Sequence, residues 1–211
     1  NTSDSEKVPR DHHDIERVSA ASDASVADRA TFSEALTAAP RQKAGEAHDI
    51  DMRIARDGTW FYLGSPINRR PLVKLFSTIL HREADGEYYL ITPVEKARIT
   101  VEDAPFTAVE MQVTGTGKNQ ELTFRTNVDN NVTVDASHPL RVAIDDETGE
   151  PSPYIMVREG LEALVGRAVF YDLVELGVEN DNRNSCLIGV WSGGVWFELG
   201  RTDDAGQVEG H

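Results

Sequence analysis

Apolar and polar residues alternate through Ile50, Met52 and Ile54, break at Asp57-Gly58, and resume with Trp60 and Tyr62 on one face and Phe61 and Leu63 on the other. A period of two marks a half-buried strand, and Asp-Gly between two such runs predicts a hairpin with a primed two-residue turn. The stretch "GGVWFELG", Gly193 to Gly200, repeats the frame of "DGTWFYLG", Asp57 to Gly64. Its Gly193-Gly194 pair predicts another primed turn, since glycine accepts the positive φ such a turn demands. The repeat therefore marks the second strand of two similar hairpins, with Trp60 and Trp196 expected in the cores.

Elsewhere the period lengthens to that of a helix. "INRRPLVKLF" (Ile67 to Phe76) and "VGRAVFYDLV" (Val165 to Val174) match at apolar, Arg and Leu positions. One predicted helix carries an apolar face of Leu72, Leu75, Phe76, Ile79 and Leu80; the other has Val169, Phe170, Leu173, Val174 and Leu176. Pro71 suits a first turn and Gly177 a helix stop. Between the helices, "EYYLIT", "KARITV", "AVEMQVT", "QELTFRT", "NVTVDA" and "LRVAID" read as an antiparallel meander. The predicted class is α+β, with two related β-rich lobes of antiparallel strands and one principal helix each, at residues 49–103 and 104–201. Residues 1–48 are rich in Ala, Ser and Asp and poor in large apolar side chains, which predicts a disordered acidic tail, helical around Ala27 to Ala38. Residues 202–211 form a second predicted tail.

Composition and charge restrict the functions open to this architecture. No apolar run approaches the 18 or so residues of a membrane span, and the amino end lacks a secretory pattern, so a cytoplasmic location is expected. Cys186 is the single cysteine, which rules out an internal disulfide. The net charge of −15 argues against a nucleic-acid polymer or an anionic membrane as partner. That charge is uneven: residues 49–101 carry eight basic and seven acidic side chains, residues 102–211 seven and twenty. The first lobe offers an anion its least repulsive surface.

No cluster announces a reaction. "VTGTGKNQ" lacks the spacing of a phosphate loop, and a hairpin turn accounts for its glycines. "GVWSGGVW" resembles a nucleophile elbow around Ser192, but Gly189 stands three residues before the serine instead of two, and His81 and His138 are distant in sequence. "DDETGE", Asp145 to Glu150, reads as an acidic hairpin tip, and His12-His13 as part of the tail. No cofactor is expected. More suggestive are Arg69, Arg70 and Lys74, crowded at a helix start whose free N–H groups would favour an anion, with Arg167 at the matching start in the second lobe. Arg125 and Asn127 share one strand face, as do Tyr154 and Met156, followed by Arg158; together with Trp191 these suit an aromatic anion such as a nucleotide.

The blocks "RIARDGTWFYLGSPINRRPLVKLFSTIL", "YYLITPVEKARITVEDAPF", "GEPSPYIMVREGLEALVGRAVFYDLVELG" and "GVWSGGVWFELG" resemble, in order, the bacterial family of domains of unknown function numbered 1285. The resemblance runs from Asp49 to Leu199. It implies a two-lobed fold on repeated motifs, a second lobe loosely similar to pleckstrin-homology-like barrels, and a small-ligand pocket between lobes with a regulatory role. One departure is "PRQKAGEAH", where relatives carry a Pro- and Trp-containing segment before the first strand. The expected function is a non-enzymatic regulatory or signal-transduction protein that binds a small anionic, nucleotide-like ligand between its lobes and meets a protein partner in a signalling pathway. A hydrolase and a protein-interaction module are the alternatives.

Overall fold

The computed structural model describes residues 47–182 and 185–202. The predicted tail helix around Ala27 to Ala38 and the His12-His13 pair lie outside the described residues, as do positions 203–211. The first lobe holds β1 (Ala47–Ile54), β2 (Trp60–Tyr62), β3 (Ser65–Pro66), α1 (Arg70–Thr78), β4 (Leu80–Arg82), β5 (Tyr88–Ile91) and β6 (Lys96–Val101). In the second are β7 (Phe106–Thr114), a 3₁₀ turn (Gly117–Asn119), β8 (Glu121–Thr126), β9 (Asn131–Thr133), β10 (Leu140–Ile144), β11 (Pro151–Arg158), β12 (Leu161–Val165) and α2 (Arg167–Glu175). β13 (Val178–Asn182), β14 (Ser185–Ser192) and β15 (Val195–Thr202) follow as a three-stranded antiparallel sheet.

The two six-stranded sheets share one topology. Their orders are β3-β2-β1-β6-β5-β4 and, read from the opposite edge, β9-β8-β7-β12-β11-β10. In each, the first and last strands lie side by side and parallel at the centre, β1 with β6 and β7 with β12, while the others run outward in antiparallel pairs. The predicted meander is thus broken at two places. β6 and β7 belong to different sheets, and β9 and β10 lie on opposite edges of one sheet. Alternation reports a half-buried face but not the neighbour, and a parallel pair needs the long crossover that each lobe supplies. The lobes are α+β, and their kinship lies in this shared order. α1 is inserted between the third and fourth strands of the first lobe, whereas α2 follows the sixth strand of the second.

Local differences from the expected boundaries have simple causes. β1 begins at Ala47, two residues inside the predicted tail, because Ala47 and His48 pair with Lys96 and Ala97. α1 stops at Thr78, so Leu80 opens β4 and packs into the core from a strand. The Asp57-Gly58 turn has three residues: the Gly58 N–H donates to Ala55 O and the Ala55 N–H to Thr59 O, with Gly58 at φ +83°. This is a type I turn closed by a left-handed residue, whereas Gly193-Gly194 makes the expected two-residue connection from Ser192 to Val195.

The copied frame does not bury the same face, although each tryptophan stands in the second cross-strand pair from its turn. Trp60 is buried and stacks on Phe76 at 5.9 Å, while in the copied frame Phe197 turns inward and Trp196 lies half-buried, edge-on to Trp191. Trp196 is therefore not the core equivalent of Trp60. A single apolar cluster runs through both lobes, from Met52, Trp60 and Phe76 to Phe106, Phe124, Leu161 and Phe197.

Candidate functional site

A cavity of about 260 Å³ opens where the lobes meet. One wall comes from the β1–β2 turn (Gly58, Thr59), the start of β2 (Trp60) and the exposed face of α1 (Arg70, Val73, Lys74). The β8–β9 turn, Asn127 to Asp129, forms the other. Asn127 ties the two turns together: its Nδ2 donates to Gly58 O at 3.2 Å, its Oδ1 accepts from the Thr107 N–H at 3.2 Å, and its own N–H donates to Thr107 O at 2.8 Å. A side chain on Gly58 would meet that amide at 2.5 Å, so glycine is required there by both φ and space.

The chemistry of the cavity is cationic with one counter-charge. Arg70 and Lys74 occupy neighbouring turns of α1, and Asp129 receives Arg70 Nη2 and Arg125 Nη1 at 3.4 Å each. α1 carries no acidic residue in its first turn and no side-chain cap. Its backbone contributes little to anion binding, however: Pro71 has no N–H, and Leu72 and Val73 both donate to Arg69 O. The charge is supplied by side chains, not by free helix N–H groups as the sequence suggested. Trp60 closes the floor. Its ring is 1% exposed, and its indole N–H finds no acceptor among the described residues. A buried donor left without a partner costs about 1–3 kcal/mol.

Of the residues proposed from sequence, Arg70, Lys74 and Asn127 line the cavity. Arg69 is the N-cap of α1, adjacent to the wall. Arg125 stands behind Asp129, and its Nη2 is 2.7 Å from Glu110 in a cross-strand pair. That hydrogen-bonded carboxylate holds the Arg125 pKa above its ordinary value. The remaining three lie elsewhere. Tyr154 donates to Asp103 at 2.8 Å beneath the Arg141 guanidinium; burial first, and that hydrogen bond second, push its phenol pKa up. Arg158 reaches across the lobe boundary to Ser77 O and Leu80 O, fastening the carboxyl end of α1. Trp191 packs against Trp196 with the Lys118 ammonium 5.1 Å above its ring. Arg69, Arg125 and Arg158 thus do not converge on one point, and Arg167 bonds to Tyr171 on its own helix at 3.1 Å instead of facing the cavity.

Sequence reasoning missed Asp129 and the open donor of Trp60. A turn aspartate and a repeated tryptophan each have an ordinary structural reading, and only the fold brings them to one cavity. Ser192 is structural: fully buried, it donates to Val134 O at 2.6 Å and accepts from the Leu122 N–H at 2.9 Å, leaving nothing for nucleophilic attack. The Asp145 tip is an acidic hairpin end whose carboxylate Oδ1 accepts from the Glu147 N–H, the Thr148 N–H and the Thr148 hydroxyl. Among the described residues no helix is long and apolar enough to cross a membrane, and no group of three or more His, Cys, Asp or Glu is placed to hold a metal ion.

Two lobes of one strand order, clasped around a small cationic cavity, define a two-domain α+β protein. The chain belongs to the DUF1285 family: the model of its N-terminal domain, a domain of unknown function, matches residues 41–104, and that of its C-terminal domain, from a protein of unknown function, matches residues 105–199. It is similar to the crystal structure of a DUF1285 family protein from Silicibacter pomeroyi DSS-3, with 50% identity and a TM-score of 0.68 over 74% of this chain and 84% of that one. A DUF1285 family protein from Shewanella baltica OS155 is 32% identical, with a TM-score of 0.48 over 60% of this chain and 92% of that one. No curated protein matches the chain.

Proposed function

We propose that this protein is a regulatory small-ligand-binding protein that takes a compact anion, a phosphate or carboxylate on an apolar or planar body, in the interlobe cavity. The observation that carries the reading is the pairing of two cations, Arg70 and Lys74, with a buried Trp60 N–H that lacks an acceptor. The charged group of the ligand engages Arg70 and Lys74, with the planar fork of Arg70 suited to two oxygens. A second oxygen accepts from the indole, and Ile67, Val73 and Val128 receive the apolar part. The cavity lies just below the range of about 300–1,000 Å³ usual for small-molecule sites, which favours a nucleoside monophosphate or smaller over a dinucleotide.

Because the cavity walls come from both lobes, a bound ligand biases how the lobes meet, and a protein partner in a signalling pathway reads that bias. The test is thermal unfolding against nucleoside monophosphates, sugar phosphates and short carboxylates. At a hundred times its dissociation constant a ligand stabilises the fold by about 2.7 kcal/mol, a shift of several degrees. Lys74→Ala and Arg70→Ala abolish the shift while leaving the unliganded melting point nearly unchanged. A panel that leaves the wild-type melting point unmoved contradicts the proposal.

A further inference from the structure

Three hairpin tips in this fold share one geometry. In each, the fourth residue donates to the first and the first to the fifth: Gly58 to Ala55 with Ala55 to Thr59, Gly86 to Glu83 with Glu83 to Glu87, and Asp129 to Thr126 with Thr126 to Asn130. The fourth residue is left-handed in all three, at φ +83°, +85° and +63°. Glycine is the expected occupant of such a position, and two tips have it. The third has aspartate, which tolerates the conformation without being favoured there over glycine. What the side chain adds is a carboxylate over the mouth of the cavity, where one oxygen, Oδ1, takes both Arg70 and Arg125.

These contacts are loose. Each is 3.4 Å long, and the Asp129 side chain is about half exposed, whereas Arg125 meets Glu110 at 2.7 Å. From this geometry we infer that Asp129 is a built-in competitor: its carboxylate holds Arg70 until an incoming anion displaces it, and the exchange loosens the second lobe's turn from α1. The inference rests on the binding reading above and adds its regulation. Arg125 keeps its strong pair with Glu110 throughout, so only the weak contacts change hands. The same carboxylate makes the site selective, because a ligand must carry enough negative charge to outbid it for Arg70.

The test titrates full-length wild type, Asp129→Asn and Asp129→Gly with inorganic phosphate at constant ionic strength, following melting temperature and the Trp60 indole N–H resonance. Both substitutions suit a left-handed residue, so the fold is retained, and circular dichroism checks it. Removing the competing charge raises phosphate affinity roughly three- to tenfold in both variants, and the double variant Asp129→Asn with Lys74→Ala loses the gain. Equal affinity in wild type and variants overturns the competitor role and leaves the binding reading intact. Weaker binding in the variants also overturns it, since Asp129 would then be holding the Arg70 and Arg125 guanidinium groups in the arrangement that receives the anion. Absence of phosphate binding in every form overturns the competitor role, and the binding reading falls with it only if the organic ligand panel also leaves the wild-type melting point unmoved.

Discussion

Single residues in this protein are decided by what their neighbours leave open. Ser192 looks like a nucleophile in sequence, yet its hydroxyl is spent between Val134 O and the Leu122 N–H. Ser192→Ala should therefore cost about 1–3 kcal/mol in denaturant unfolding, by leaving a buried N–H unpaired, and should leave ligand affinity unaltered. Gly58 and Gly86 share a φ near +84° but not their surroundings. An added side chain at Gly86 meets open space, while at Gly58 it displaces the Asn127 amide that joins the lobes. Gly86→Ala should cost about 1–2 kcal/mol and Gly58→Ala about 2–4 kcal/mol, with ligand response lost only in the second, as equilibrium unfolding and thermal shift would separate. At this scale the sequence revealed Arg70, Lys74 and Asn127, because cations at a helix start and a polar residue at a strand end are local signals. It hid Asp129 and the unsatisfied donor of Trp60, whose meaning depends on residues far away in the chain.

Among the elements, the face that packs on the core decides more than the repeated frame does. The identical Trp-Phe pair turns Trp60 inward in the first hairpin and Phe197 inward in the second, though each tryptophan stands in the second pair from its turn, so equal sequence packs opposite faces on the core. The hairpin and meander strands and both helices were legible from periodicity, whereas β3, β4, β12 and β13 were not. Strand neighbours were not legible either: the central parallel pairs β1–β6 and β7–β12 join segments 47 or more residues apart, and no local pattern encodes that adjacency. α1 depends on the other lobe for its carboxyl end. Arg158 donates to Ser77 O and Leu80 O and lies over the Phe106 ring, so Arg158→Met should lose about 2–3 kcal/mol through unpaired carbonyls, measurable as a shift in denaturant midpoint.

Across the whole molecule, the apolar cluster and the ties from Asn127 to Gly58, Arg158 to Ser77 and Arg56 to Ser152 make the lobes one cooperative body. A single unfolding transition is expected, with calorimetric and van't Hoff enthalpies in agreement. Its acid limb follows from aspartates at the turns. The Thr148 N–H lowers the Asp145 pKa, the Thr59 N–H lowers that of Asp57, and the Glu87 N–H that of Asp85. A carboxylate depressed in the folded state stabilises it above the unfolded value near 3.8, and that contribution disappears as pH falls through the lower folded values. Stability should thus hold down to about pH 4 and decline below it, with a shallower decline in Asp145→Ala. The cavity itself is tested most directly by the three indole N–H signals in a proton–nitrogen correlation spectrum, assigned by elimination with Trp191→Phe and Trp196→Phe. During titration with nucleoside monophosphates and short phosphate or carboxylate ligands, the Trp60 signal should move saturably for at least one of them and stay fixed in Lys74→Ala. If that signal stays in place throughout the panel, or moves equally well without Lys74, the interlobe anion site is refuted.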